Sequence, residues 1–220
     1  MSTPANGLAA ILLTIGMSTS TLADTAIDKA ASSDPTKLPI VLTFFLHDEL
    51  TNRDFFNMER DYLPWFITDL EGITGRKVTI KSVLKKPGYT DFDYRLGDAD
   101  KTLYEWDQRV SDYVVHNSLP RDRRYKYLLI TRHDLTFFTA GIAYQGKRSA
   151  VVSLTAYRTI AHEVGHLLGA EHGHGRVVGS GFPVACYTNM LAAEVPFIRN
   201  CYRYSDPAGR AIRSYLENIP

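Results

Sequence analysis

The stretch "HEVGHLLGAEH", residues 162 to 172, constrains this 220-residue chain more than any other feature. On a helix of about 3.6 residues per turn, positions four apart share one face, so His162 and His166 aim their imidazoles at one point. Glu163 falls between them in azimuth, displaced enough not to compete for a metal ion yet near enough to touch a water held there. A third ligand on the same straight face would lie another turn away, too distant to close a tetrahedron. The helix must therefore end, and Gly169 can take the positive φ of such an ending at little steric cost. The redirected chain then brings His172 back. Three neutral imidazoles with a fourth position open make a catalytic rather than a structural zinc site. There the ion polarises a carbonyl and Glu163 accepts a proton from water. Ile160, Val164 and Leu167 cluster within about 60° of arc, opposite His162 and His166, so one face is predicted to pack and the other to front a cleft.

The rest of the chain reads as a layered α/β domain. "LPIVLTFFLHDEL" is a continuous apolar run rich in branched and aromatic residues, the pattern of a strand covered on both faces. Phe55, Met58, Tyr62, Phe66 and Leu70 recur at helical spacing, and Pro64 must kink that helix or begin a second one. "KVTIKSVLKK" supplies a second strand. Leu103, Trp106, Val110 and Val114 share one face of a further helix that Asp98 or Asp100 can cap. "YKYLLITRH" is a third core strand, and "GIAYQGKRSAVVSL" reads as a hairpin turning at Gln145 to Lys147. A final helix from Ala208 to about Leu216 begins behind Ser205, a plausible cap. Strands alternating with long helices imply an α/β arrangement, followed by an irregular C-terminal part.

With 45% hydrophobic and 22% charged residues and a net charge of +1, the chain is neither disordered nor drawn to polyanions, so nucleic acid is not an expected partner. The apolar run "GLAAILLTIGM" followed by "STLADTA" matches an export signal cleaved after Ala23, although no Lys or Arg precedes it. About eleven residues are too few to span a bilayer, which needs roughly twenty. The expected organisation is a signal at 1–23, a linker at 24–37 and one domain at 38–220, with subdomains at about 38–170 and 171–220. Cys186 and Cys201 are the only cysteines, and in an exported protein they would pair.

"HEVGHLLGAEH" fits HExxHxxGxxH, and in this the chain resembles the metzincin zinc endopeptidases. The resemblance implies a mixed, mostly parallel twisted sheet with an antiparallel edge strand, one catalytic Zn2+, and a methionine turn beneath it, for which Met190 is the only downstream candidate. "CYTNM", Phe197 and Cys201 look most like the adamalysin or reprolysin branch. That branch usually has one residue between its Cys and Met, however, and three stand between Cys186 and Met190, so a matrixin-like or unclassified branch stays open. Ala192 stands where astacins and serralysins carry a tyrosine ligand.

By the same resemblance, the strand before the catalytic helix would be the sheet edge above the cleft. Ser149, Ala150, Val151 and Val152 would then pair with an extended polypeptide substrate, and Ala192 and Ala193 would line an apolar subsite. His174 is the rival third ligand, disfavoured by the glycine-to-histidine spacing. Asp91, Asp93, Asp98 and Asp100 offer a possible Ca2+ site but lack EF-hand spacing, so a solvated loop is the expectation. The functional expectation is an exported, monomeric zinc metalloendopeptidase. The alternatives are a zinc hydrolase of a non-protein substrate and a noncatalytic adhesin on the same fold.

Overall fold

The computed structural model describes residues 34–179, 184–193 and 195–219; the expected signal segment and most of the expected linker lie outside them. Five strands form the main sheet in the order β2-β1-β3-β5-β4. They are β1 (Ile40–Leu46), β2 (Val78–Val83), β3 (Tyr125–Thr131), β4 (Gly141–Ala143) and β5 (Ser149–Ser153). All neighbours are parallel except β4, which runs antiparallel to β5 and forms one edge. The architecture is therefore mixed α/β with a mostly parallel sheet.

Burial on both faces explains the unbroken apolar runs of β1, β3 and β5. Ile40, Leu42, Phe44, Leu128, Ile130, Ala150 and Val152 pack on one face against Phe66 and Leu70 of α2 (Leu63–Thr74) and Ile160, Val164 and Leu167 of α4 (Thr159–Leu167). Alternating residues Phe45, Tyr127, Leu129 and Val151 pack on the other face against Trp106, Val110 and Val114 of α3 (Ala99–His116). Helices thus cover both faces of the sheet.

Helical backbone runs without a break from α1 (Asn52–Asn57) through one π-type turn at Met58–Tyr62 into α2, and Pro64 falls just after the i to i−5 bond from Leu63 N–H to Met58 O, where the shifted ladder takes up its missing N–H. Asp98, not Asp100, caps α3 by accepting from the Lys101 N–H at 3.1 Å. Asp91 and Asp93 accept from Gly88 N–H and Arg95 N–H at 2.6 and 3.1 Å, so these carboxylates serve separate turns and calcium is not supported. Past α4, β6 (Val177–Val178), β7 (Cys186–Tyr187) and β8 (Arg199–Asn200) make a small second sheet, and α5 (Asp206–Tyr215), capped by Ser205, packs on α2. No helix among the described residues is long and apolar enough to cross a membrane.

Asp69 on α2 accepts from the Tyr204 N–H at 2.7 Å, which ties the C-terminal segment to the first helical layer. Burial raises its carboxyl from the ordinary 3.8 to about 6, with that hydrogen bond and Arg203 opposing. Well below pH 3.8 the group is neutral folded or unfolded. Between 4 and 6 the unfolded chain ionises first, so this residue's cost grows with pH and is complete above 6. Asp69→Asn keeps the acceptor and removes the charge. It is expected to raise stability at pH 7 by about 2 kcal/mol and to leave stability at pH 3.5 unchanged, as read by urea denaturation at both pH values.

Candidate metal centre

The chain enters α4 through Arg158, whose guanidinium donates to the Asn189 and Leu191 carbonyls at 3.2 and 2.8 Å. It thereby fastens the helix start to the segment that passes beneath it. His162 donates Nδ1–H to the same Asn189 carbonyl at 2.7 Å, and His166 donates Nδ1–H to Ala170 O at 2.9 Å. With Nδ1 protonated in each ring, the lone pair sits on Nε2.

At the far end of α4, Gly169 takes φ +86°, its N–H donates to His166 O at 3.0 Å and the Ala170 N–H donates to Gly165 O at 2.9 Å. The reversal delivers His172, which opens a single 3-10 turn at His172–His174. The three Nε2 atoms then stand 3.0, 3.0 and 3.2 Å apart. Zinc bound about 2.0–2.1 Å from each nitrogen in a tetrahedron needs separations of about 3.3 Å, so the triangle fits to within a few tenths of an ångström. Among the described residues this is the one group of three or more potential ligands that converges. Burial drives the His162 ring down to about 3, and lowers His166 as well, so both are neutral, as metal ligands must be. His174 is turned away, its Nδ1 accepting from the Glu171 N–H at 2.9 Å.

Against α4 at Gly165 lies the fully buried Met190, next in sequence to the carbonyl that holds His162. A Cβ at Gly165 would overlap its Sδ and stand 2.9 Å from Tyr204 Cε1. Glycine in mid-helix, unfavourable by about 1 kcal/mol, is what lets this segment close against α4. Tyr204, also buried, donates its hydroxyl to the Ala161 carbonyl. Cys186 and Cys201 form a disulfide with a Cα–Cα distance of 5.1 Å, linking β7 to the residue after β8. At the opposite end of α4, the buried Lys126 of β3 donates from Nζ to Leu167 O at 2.7 Å, Lys147 O at 2.6 Å and the Tyr215 hydroxyl at 2.9 Å.

Glu163 is buried on the cleft side of α4 beside the histidines, and burial pushes its carboxyl up to about 8, with the Arg158 charge opposing. It rests against β4, where a Cβ at Gly141 would stand 2.7 Å from Glu163 Oε1 and 2.8 Å from Thr159 Cγ2. A bare glycine there lets the strand lie directly over the acid. Gly141→Ala is therefore expected to displace the carboxylate or lift the strand and to cost about 1–3 kcal/mol of stability, which urea denaturation of the purified variant would check.

The substrate edge expected at β5 lies elsewhere. Ser149, Ala150, Val151 and Val152 are fully buried on β5, paired with β3 on one side and β4 on the other, and cannot receive a substrate. The edge is β4. Ala140 O accepts from the Ser153 N–H and Tyr144 N–H donates to Ser149 O, so by antiparallel alternation Ile142 turns to β5 while the N–H and C=O groups of Gly141 and Ala143 turn outward. That edge borders a cleft of about 970 Å³ whose lining includes His162, Glu163, His166, His172, Ala192 and Ala193. Arg158, Gly141, Gly165 and Lys126 were not singled out from sequence. Only Gly165 carried a signal, as an isolated glycine inside a helical pattern.

Fold and site together define a mixed α/β protein with a three-imidazole centre able to hold a metal ion. Among solved structures it is similar to the crystal structure of a zinc-dependent peptidase from Methanocorpusculum labreanum (strain Z), with 17% identity and a TM-score of 0.48 over 78% of this chain and 99% of that one. No protein-family profile and no curated protein matches the chain.

Proposed function

We propose that the chain is a zinc-dependent metalloendopeptidase of metzincin type, exported from the cell, in which Glu163 is the general base. The observation that carries this reading is a set of three inward-facing Nε2 lone pairs, no more than 3.2 Å apart, in one cleft with a buried carboxylate and an open strand edge. His162, His166 and His172 would hold the ion, which when bound supplies Lewis acidity toward the scissile carbonyl and lowers the pKa of water.

The chain's own residues do the rest. The Asn189 and Ala170 carbonyls lock the rings of His162 and His166 in the tautomer that exposes Nε2. Glu163, confined between α4 and Gly141, takes a proton from the attacking water and returns it to the leaving amine. The Arg158 charge opposes the burial that raises its pKa, and a cation held by the three histidines would favour the ionised form further. Gly141 and Ala143 present main-chain groups to an extended polypeptide, which would join the sheet as a further strand. Met190 supplies an apolar floor that keeps the rings from tilting, and Ala192 and Ala193 leave room for an apolar substrate side chain. The disulfide accords with an oxidising compartment.

The open strand edge favours a polypeptide over a small non-protein substrate, and a purely adhesive role gives no reason to bury Glu163 beside the histidines. The test is digestion of a broad peptide library by the zinc-loaded protein. Internal cleavages suppressed by a chelator are expected; a zinc-loaded protein that cuts nothing would sink the proposal.

A further inference from the structure

Between β3 and β4 the chain makes a second, much smaller hairpin. Thr136 and Thr139 face each other in a two-residue bridge, with Thr139 N–H donating to Thr136 O at 3.3 Å and Leu135 N–H to Thr139 O at 2.9 Å. Leu135 is buried among the residues packed on α3, which anchors the base of the hairpin. Its tip is Phe137 and Phe138. Turn tips ordinarily carry Gly, Asn, Asp or Ser. Here two phenylalanines stand 91% and 92% exposed, the rings in edge-to-face contact with centroids 4.8 Å apart.

Scattered apolar residues on a surface need no explanation, but two adjacent fully exposed rings held on a braced tip do. Position supplies it. Phe138 lines the same cleft as Glu163 and His162, and it precedes Gly141 by three residues, at most about 10 Å of chain. Ala140 and Thr139 line the cleft between them, small enough to leave the path from the rings to the acid open.

Building on the peptidase reading, we propose that Phe137 and Phe138 form a specificity site for a large apolar or aromatic side chain of the substrate. That side chain would stand two to four residues from the scissile bond. A peptide adding to β4 runs along the strand toward the tip, and its side chain there closes against rings already arranged to receive it. Because the rings are paired and the hairpin is braced before substrate arrives, little conformational freedom is lost on binding. A second occupant, a lipid surface, would also favour exposed rings. The place of Phe138 on the cleft wall, with Phe137 stacked against it edge to face and the edge strand following, favours the substrate.

The experiment walks a single Phe through each position of a quenched fluorescent peptide, with Gly as reference, and compares the zinc-loaded wild type with Phe137→Ser/Phe138→Ser. In the wild type, Phe at one position remote from the cleaved bond is expected to raise kcat/KM about tenfold over Gly, the size of effect one apolar contact gives. In the double variant that ratio is expected to fall to about one, with zinc content unchanged. A wild type that cleaves peptides without such a preference, or a variant that keeps it, overturns this inference and leaves the peptidase reading standing. A wild type that cleaves no peptide overturns both. A variant that keeps the ratio but loses binding to phosphatidylglycerol vesicles, which the wild type binds, assigns the hairpin to a membrane and also overturns it.

Discussion

Glu163→Gln is expected to lower kcat on a peptide substrate by about three orders of magnitude, within the 10²–10⁴-fold span of a positioned general base. The amide has the shape of the acid and fits the same space under Gly141, but it cannot accept the proton of an attacking water. It adds no buried charge, so the fold should lose no stability. The three histidine nitrogens and the carbonyls that orient two of the rings are untouched, so zinc content should stay near one per chain. Turnover assays run beside metal analysis and a melting curve separate these outcomes. Full activity in Glu163→Gln would remove the mechanism even if the metal site were real.

Zinc removal should be visible in stability as well as activity. A ligand that binds only the folded state at about 1,000 times its Kd contributes about 4 kcal/mol, and a domain of this size shifts by about 2–4 °C per kcal/mol. A chelator is therefore expected to lower the melting temperature by roughly 8–16 °C and to abolish cleavage, with both restored by added zinc. His172→Ala should show the lower melting temperature from the outset and no response to zinc. His172 is the exposed member of the triad, so its truncation removes a ligand without opening a hole in the core. Tight zinc binding retained by His172→Ala would rule out the convergent triangle.

The sheet and its helices were legible because their signals are local. The continuous apolar runs of β1 and β3, the period of Leu103, Trp106, Val110 and Val114, and the turn at Gln145 to Lys147 each state a burial pattern within a few residues. The three histidines were legible for the same reason: the helix and a glycine ending at φ +86° set their spacing over eleven residues. What sequence did not reveal depends on contacts between distant segments. Strand order placed β4, not β5, at the edge, and no periodicity within Ser149–Ser153 distinguishes an interior strand from an outer one. Gly141 matters only because Glu163, twenty-two residues later, packs against it, and Arg158 matters only through carbonyls at 189 and 191. The exposure of Phe137 and Phe138 was equally silent, since two adjacent phenylalanines read as core until the hairpin holds them out.

The sulfur bridge between Cys186 and Cys201 lies three residues along the chain from Asn189, whose carbonyl fixes the tautomer of His162. A thiol reductant would therefore loosen the first histidine's support without touching it: once the crosslink opens, the segment bearing that carbonyl is held by Arg158, by its main-chain bonds to Arg176 and Arg203 and by the buried Met190. Reducing conditions would thus cost the three-imidazole cleft one of several braces, one that forms only where thiols can be oxidised.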